Sequence, residues 1–212
     1  MRLNADFSRR VLMRFSENEW LPSPMPGVER KMLDRIGDEV ARATTIVRYA
    51  PGSAFSAHTH DGGEEYLVLS GTFCDEHGAF PTGAYVRNPP TSRHTPSAPD
   101  GATILVKLHQ FDPAGRTQVH VDLDPNQSRQ ELYRDAFEEV RVEHWPPGGQ
   151  VDLEAAGGME VFVIDGGFEE SDDAVGRWDW LRLPTGSRST ATAGPEGARV
   201  WIKSGHLAHA PT

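Results

Sequence analysis

The chain has 212 residues, with 21 Lys and Arg against 31 Asp and Glu and a formal net charge of −10. That balance repels phosphate backbones and anionic bilayers, so neither nucleic acid nor membrane is an expected partner. A single cysteine, Cys74, excludes an internal disulfide, and the charged opening MRLNADFSRR without an apolar run points to a cytoplasmic location.

Sixteen prolines and 21 glycines punctuate many short segments, the texture of an all-β fold. RRVLMRF (residues 9–15) alternates weakly. VERKMLDRIGDEV (28–40) has helix-like amphipathicity but runs straight into the strand-like ARATTIVRYA (41–50), so both are read as strands. PGSAFSAHTH (51–60) opens on a Pro-Gly turn and lacks apolar residues at helical spacing, which also makes it a strand. Asp61, Gly62 and Gly63 form a short turn into the apolar run EEYLVLSG (64–71). A hairpin is expected at DEHG (75–78), then a strand entered from Pro81, Thr82 and Gly83. SRQELYRDAFEE (128–139) is expected to include a short helical turn, and the tail holding His206 and His209 to be poorly ordered.

Two spaced patterns stand out: G-x5-H-x-H-x3-E-x6-G over residues 52–71 and G-x5-P-x-T-x2-H over 83–94. Side chains two apart on a strand share a face, so His58 and His60 can reach one ion. Glu64, beside the turn, can fold back toward them, and the strand after the hairpin returns His94 to the same region of sheet. Imidazoles and one carboxylate suit Zn, Fe, Mn, Ni or Co, and no cysteine in the pattern selects a soft metal. The expected cofactor is one divalent ion.

These motifs resemble those of the cupin superfamily, at Gly52, His58, His60, Glu64 and Gly71 and again at Gly83, Pro89 and His94. Two positions depart from it: Thr91 stands where cupins usually have glycine, and Ala98 where they often have asparagine. Neither is a ligand position, so the departures bear on the local turn. A closer resemblance, over roughly residues 20–110, is to the cupin-like domain of ChrR-type anti-sigma factors, in GGEEYLVLSGTF (62–73), DEHG and YVRNPPTSRHTP (85–96). It implies a β-jelly-roll, or double-stranded β-helix, and zinc on the residues matching His58, His60, Glu64 and His94.

The pattern of the first half recurs in the second. Pro51-Gly52 reappears as Pro147-Gly148, Gly71 as Gly166, Phe73 as Phe168 and Lys107 as Lys203, at offsets of 95 or 96 residues. Tandem barrels are the expected architecture, with a metal-binding domain at 1–115, a metal-free one at 116–212 and the division inside the polar stretch 111–127. In the second copy Met159 replaces Glu64, residues 153–156 contain no histidine, and Ser189 or Thr190 stands at the place of His94.

Other residues carry bland readings beside functional ones. Arg87 and Arg93 bracket the second motif and could steer an anionic substrate, or be solvated strand charges. Cys74 could be a redox-sensitive thiol or a small packed hydrophobe. Tyr66, Val68, Phe55 and Tyr85 suit a pocket lining or a core. His109, His120 and His144 read as ordinary surface or core residues, and His77 as part of a hairpin turn. Exposed sheet edges favour a homodimer, unless the tandem copy covers them.

Two functions follow. Around an octahedral ion four protein ligands leave two positions open, as a metal-dependent enzyme requires; the superfamily resemblance implies, for example, a dioxygenase acting on a small β-diketone-like or phenolic substrate. Around tetrahedral zinc they leave none, which favours a sensor. The ChrR resemblance implies a response to singlet oxygen or organic hydroperoxide, but that family's helical sigma-binding domain has no counterpart here, so direct sigma-factor binding is not expected.

Overall fold

The computed structural model describes residues 1–38 and 40–209. Apart from one 3-10 turn at His206–His209, its regular elements are all strands, in two units built alike. The first unit comprises Met1–Ala5 and Glu19–Leu123, the second Asp6–Asn18 and Asp124–Thr212.

The expected single cut at 115/116 differs from this division in two places. Strand Val119–Asp122 pairs antiparallel with Ala84–Asn88, which carries the first unit eight residues further. Strand Val11–Met13 pairs with Trp180–Leu183, which gives a piece of the amino-terminal region to the second unit. The strand readings of 9–15 and 28–40 reappear as Val11–Met13 and Val28–Gly37, Glu39 lying outside the described residues.

Two other expectations are corrected. Residues 128–139 form no helical turn: Arg129–Arg134 is a strand, followed by a tight turn in which Asp135 Oδ1 accepts the backbone N–H groups of Phe137 and Glu138. His206 is buried, with Nε2 2.9 Å from Glu160 Oε1, so the described part of the tail is tied down.

In the first unit the central strand Glu64–Asp75 lies between Ala102–Leu108 and Ala84–Asn88. Tyr66 and Val68 point into the core with Val47, Val86, Ile104 and Val106. Thr103 pairs with Ser70 but Ile104 with Val68, so Leu69 is an extra residue, a β-bulge that reverses which alternate side chains face inward. After it Phe73 takes the inward face. The same bulge falls at Ile164 in the second unit, between the pairs Val163–Val200 and Asp165–Arg199. Gly71 follows at φ +74°, and a Cβ there would lie 2.2 Å from the Gly101 carbonyl; Gly166 at φ +70° meets Gly197 at the same distance. The motif glycine is therefore a close backbone approach, needed in both copies.

Beside the inward core each unit buries a matching polar group. Glu65 Oε2 accepts from Tyr85 Oη at 2.7 Å and Arg87 Nη1 at 3.3 Å, and Glu160 Oε2 accepts from Trp180 Nε1 at 3.1 Å. Among the described residues no helix is long and apolar enough to cross a membrane.

Candidate metal centre

Strands His58–His60 and Ser92–His94 pair antiparallel, with His94 opposite His58 and Ser92 opposite His60. Alternation along the first strand and registry across the pair put all three histidines on one face. One carbonyl pins the two strands, since His60 O accepts the N–H of Gly63 at 3.1 Å and of Thr91 at 2.9 Å. Thr91 sits at φ +71°, the left-handed conformation the usual glycine would supply. The departure at Thr91 thus bears on the local turn as strain: the left-handed conformation is kept by a β-branched residue.

Ligand atoms of His58, His60 and His94 lie within 4.8 Å of one another. The Nε2 atoms of His60 and His94 are 3.0 Å apart, and Glu64 Oε2, at the first residue of the next strand, is 3.5 Å from each. Donor atoms bound to a common first-row ion at ~2.1 Å, at angles between tetrahedral and octahedral, stand ~3.0–3.4 Å apart. The His60, His94 and Glu64 atoms come close to that range, and His58, within 4.8 Å of the other two histidines, completes a cluster that could hold one divalent cation.

Hydrogen bonds orient two of the rings. His58 Nδ1 is 3.0 Å from the Ser56 carbonyl oxygen, which can only accept, so Nδ1 carries the proton and Nε2 the lone pair. His94 Nδ1 is 3.2 Å from Asp75 Oδ2. Burial, followed by the nearby His58 and His109, holds the His60 imidazole down to about 4. Burial pushes the Glu64 carboxyl up, opposed by His94 and by a 3.3 Å hydrogen bond from Asn88 Nδ2. A buried carboxylate beside the neutral His60 imidazole would be stabilised by the positive charge of a dication.

Asp75 and Asn88 were absent from the sequence-based site. Both line a cavity of about 330 Å³ together with Phe80, Val86, Gln118 and His120. Gln118 Nε2 donates to Asn88 Oδ1 at 3.3 Å, which extends the hydrogen-bonded chain from the cavity to Glu64. Asp75 could have been found only by counting strand parity through the Leu69 bulge, and Asn88 only from its pairing opposite Glu64.

The remaining candidates fall elsewhere. Arg87 is buried against Glu65 and the ring of Phe111, on the face of its strand opposite the core residue Val86, so it is committed to that ion pair rather than to a substrate. Arg93 is exposed and, by alternation, points away from the face of His94. Tyr66 and Val68 belong to the core, with Phe55 packed against it, and Tyr85 holds Glu65. Cys74 is half-buried, its backbone paired with Ser97. His77 is exposed, and its N–H is given to Asp75 Oδ1. His144 is exposed. His120 takes part in the cavity wall, and His109 packs over Gly62 at φ +56°.

The second unit repeats this framework in register. Strand Gln150–Ala155 sets Leu153 opposite Ser189 and Ala155 opposite Ser187, as His58 faces His94 and His60 faces Ser92. Leu153, Ala155 and Met159 lie in the buried core there. The Asp75 position is Glu170, which accepts the Ser189 hydroxyl and is paired with Arg10 Nη2 at 2.6 Å.

Two cupin-type jelly-rolls in tandem, the first with a histidine triad that could hold a metal, give the chain the cupin fold in a two-barrel form. Residues 8–112 match the family model described as the ChrR cupin-like domain. Among solved structures the chain is similar to YhhW from Escherichia coli, at 14% identity and a TM-score of 0.71 over 92% of this chain and 97% of that one. It is also similar to a nickel(II) complex of the same protein, described as a bacterial pirin, at 14% identity and 0.70 over 93% and 99%. A candidate dioxygenase from Nostoc punctiforme matches at 12% identity and 0.74, over 95% of this chain and 84% of that one. No curated protein matches the chain.

Proposed function

We propose that the first barrel is a mononuclear metal centre with His58, His60, Glu64 and His94 as ligands, and that the protein is a metal-dependent enzyme of dioxygenase type. Its substrate would be a small molecule that chelates through oxygen. The observation that carries this reading is the cluster of three histidines with Glu64 Oε2 3.5 Å from two of their Nε2 atoms; a cavity of about 330 Å³ lies one hydrogen-bonded residue away, lined by Asp75 and Asn88, the partners of His94 and Glu64. A space of that size so near the centre favours an enzyme over a sensor, which needs none.

A bound ion would supply Lewis acidity and, if redox-active, electron exchange with dioxygen. The chain's own residues do the rest. His60 stays neutral and available as a donor well below neutral pH, Asn88 holds Glu64, and Phe80 and Val86 give the cavity an apolar wall. Among the described residues that wall holds no lysine or arginine, which disfavours a strongly anionic substrate. The four-ligand assignment is supported by the 3.0 and 3.5 Å donor spacings, and the enzyme class by the likeness to a candidate dioxygenase and a nickel-binding pirin.

The match of residues 8–112 to the ChrR cupin-like domain favours a second reading, a zinc centre that responds to oxidants. Elemental analysis of protein purified without added metal, with oxygen uptake measured on acetylacetone as a β-diketone probe, separates the two. Iron, manganese or nickel with uptake supports the enzyme. Stoichiometric zinc without uptake overturns it in favour of the sensor.

A further inference from the structure

We propose that Asp75 is the positioning residue of this centre: its carboxylate fixes the ring orientation and tautomer of His94, so that Nε2 offers its lone pair to the ion. The proposal rests on the four-ligand reading above. Asp75 Oδ2 is 3.2 Å from His94 Nδ1, and both side chains are 3% exposed, which keeps the contact out of bulk solvent. The other carboxylate oxygen accepts the backbone N–H of His77 at 2.7 Å, which fixes the carboxylate from the hairpin side. An anionic acceptor at Nδ1 keeps the proton there and leaves Nε2, 3.0 Å from its counterpart on His60, as the donor to a metal.

The backbone explains how a residue eleven positions beyond Glu64 reaches the same site. Glu64, Tyr66 and Val68 share the inward face before the bulge at Leu69; after it Phe73 and Asp75 do. The second unit is an internal control. Glu170 occupies the equivalent place and accepts a hydroxyl hydrogen bond from Ser189, which stands where His94 does. There Arg10 brings a positive charge to the carboxylate. The contact between these two positions is thus a property of the duplicated framework, and only the first unit directs it at an imidazole.

A purely structural role for Asp75 as the cap of its hairpin would predict a different outcome, and two measurements separate the cases. In metal-free protein, nitrogen NMR of the His94 ring should show the proton on Nδ1; in Asp75→Asn, whose side chain still caps the turn, that preference should weaken. Nickel(II) affinity, measured by chelator competition, should fall by ~10–100-fold in Asp75→Asn, as for other groups that orient metal-bound histidines. The thermal midpoint of the metal-free variant should stay near that of the wild type. Wild-type His94 protonated on Nε2 would overturn the proposal outright, whatever becomes of the variant. So would an Asp75→Asn protein with wild-type nickel affinity and tautomer. A wild-type chain that takes up no metal would overturn the four-ligand reading, while the His94 tautomer would still decide whether Asp75 orients the ring.

Discussion

Positions 58, 60, 64 and 94 hold His, His, Glu and His; 95 residues further on, in the same strand register, stand Leu153, Ala155, Met159 and Ser189. The second mouth is closed by core packing, the first by polar side chains. Burying a leucine or methionine contributes ~1.5–3 kcal/mol each, which the first unit forgoes. The difference teaches that the framework does not need the ligands to fold and that the ligands, conversely, are a local load on it. Next to the ligand positions strain falls on the same side: Thr91 at φ +71° and His109 at φ +56° flank the histidines, where the second unit has Gly186 and Gly205 and carries its own left-handed residues elsewhere, at Ser171, Asp172 and Trp178.

The largest effect should come from removing a ligand. His58→Ala or His94→Ala is expected to bring metal content from about one ion per chain to near zero by elemental analysis, whereas Met159→Ala should leave it unchanged. The latter should instead cost ~2–5 kcal/mol in denaturant unfolding, because it empties part of a packed core. Metal retained in both histidine variants would remove the asymmetry between the units.

Acid should expose the load on the first unit next. In metal-free protein His60 is held down to about 4 against an ordinary 6.5. The unfolded chain therefore takes up this proton first, so stability falls as pH drops from 6.5 toward 4. The term amounts to at most about 3 kcal/mol. Glu64, pushed up by burial, works in the opposite sense. Comparison with His60→Ala isolates the histidine: the stability gap between the two proteins should narrow over that window, and a constant gap would contradict the neutral, buried imidazole.

A smaller change is expected from Glu170→Gln, which leaves Arg10 facing Asp173 alone. Because Arg10 is nearly a third exposed, the cost should be ~2 kcal/mol rather than that of a fully buried pair. Metal content should not move. Smallest of all, Thr91→Gly should stabilise the protein by ~1 kcal/mol by relieving a left-handed β-branched residue. Gly186→Thr should do the reverse, and equal midpoints for both variants would dismiss the strain.

Much of the centre could be read from spacing. The period of two along a strand placed His58 and His60 together, and the turn at residues 61–63 placed Glu64 beside them, because these relations are local. Asp75 escaped because a single inserted residue, Leu69, reverses the parity, and nothing in its side chain announces a bulge. Arg87 misled for the opposite reason: a charge beside a motif looks available until its buried partner Glu65 is seen. The exchange of strand Val11–Met13 into the second unit was equally unreadable, since its partner Trp180–Leu183 is supplied by residues far along the chain.

That exchange has a consequence for how the molecule is made and dissected. The backbone passes between the two units three times, at Ala5/Asp6, Asn18/Glu19 and Leu123/Asp124. Ribosomal synthesis releases Arg10 early and Glu170 160 residues later, so the second unit cannot finish until an early ribbon of chain has waited for a late one. A gene fragment starting at residue 124 would lack its edge strand, and one ending at 123 would carry thirteen residues whose partners are missing. Although each half looks like a complete domain, the protein is built to be inherited, folded and expressed as one piece.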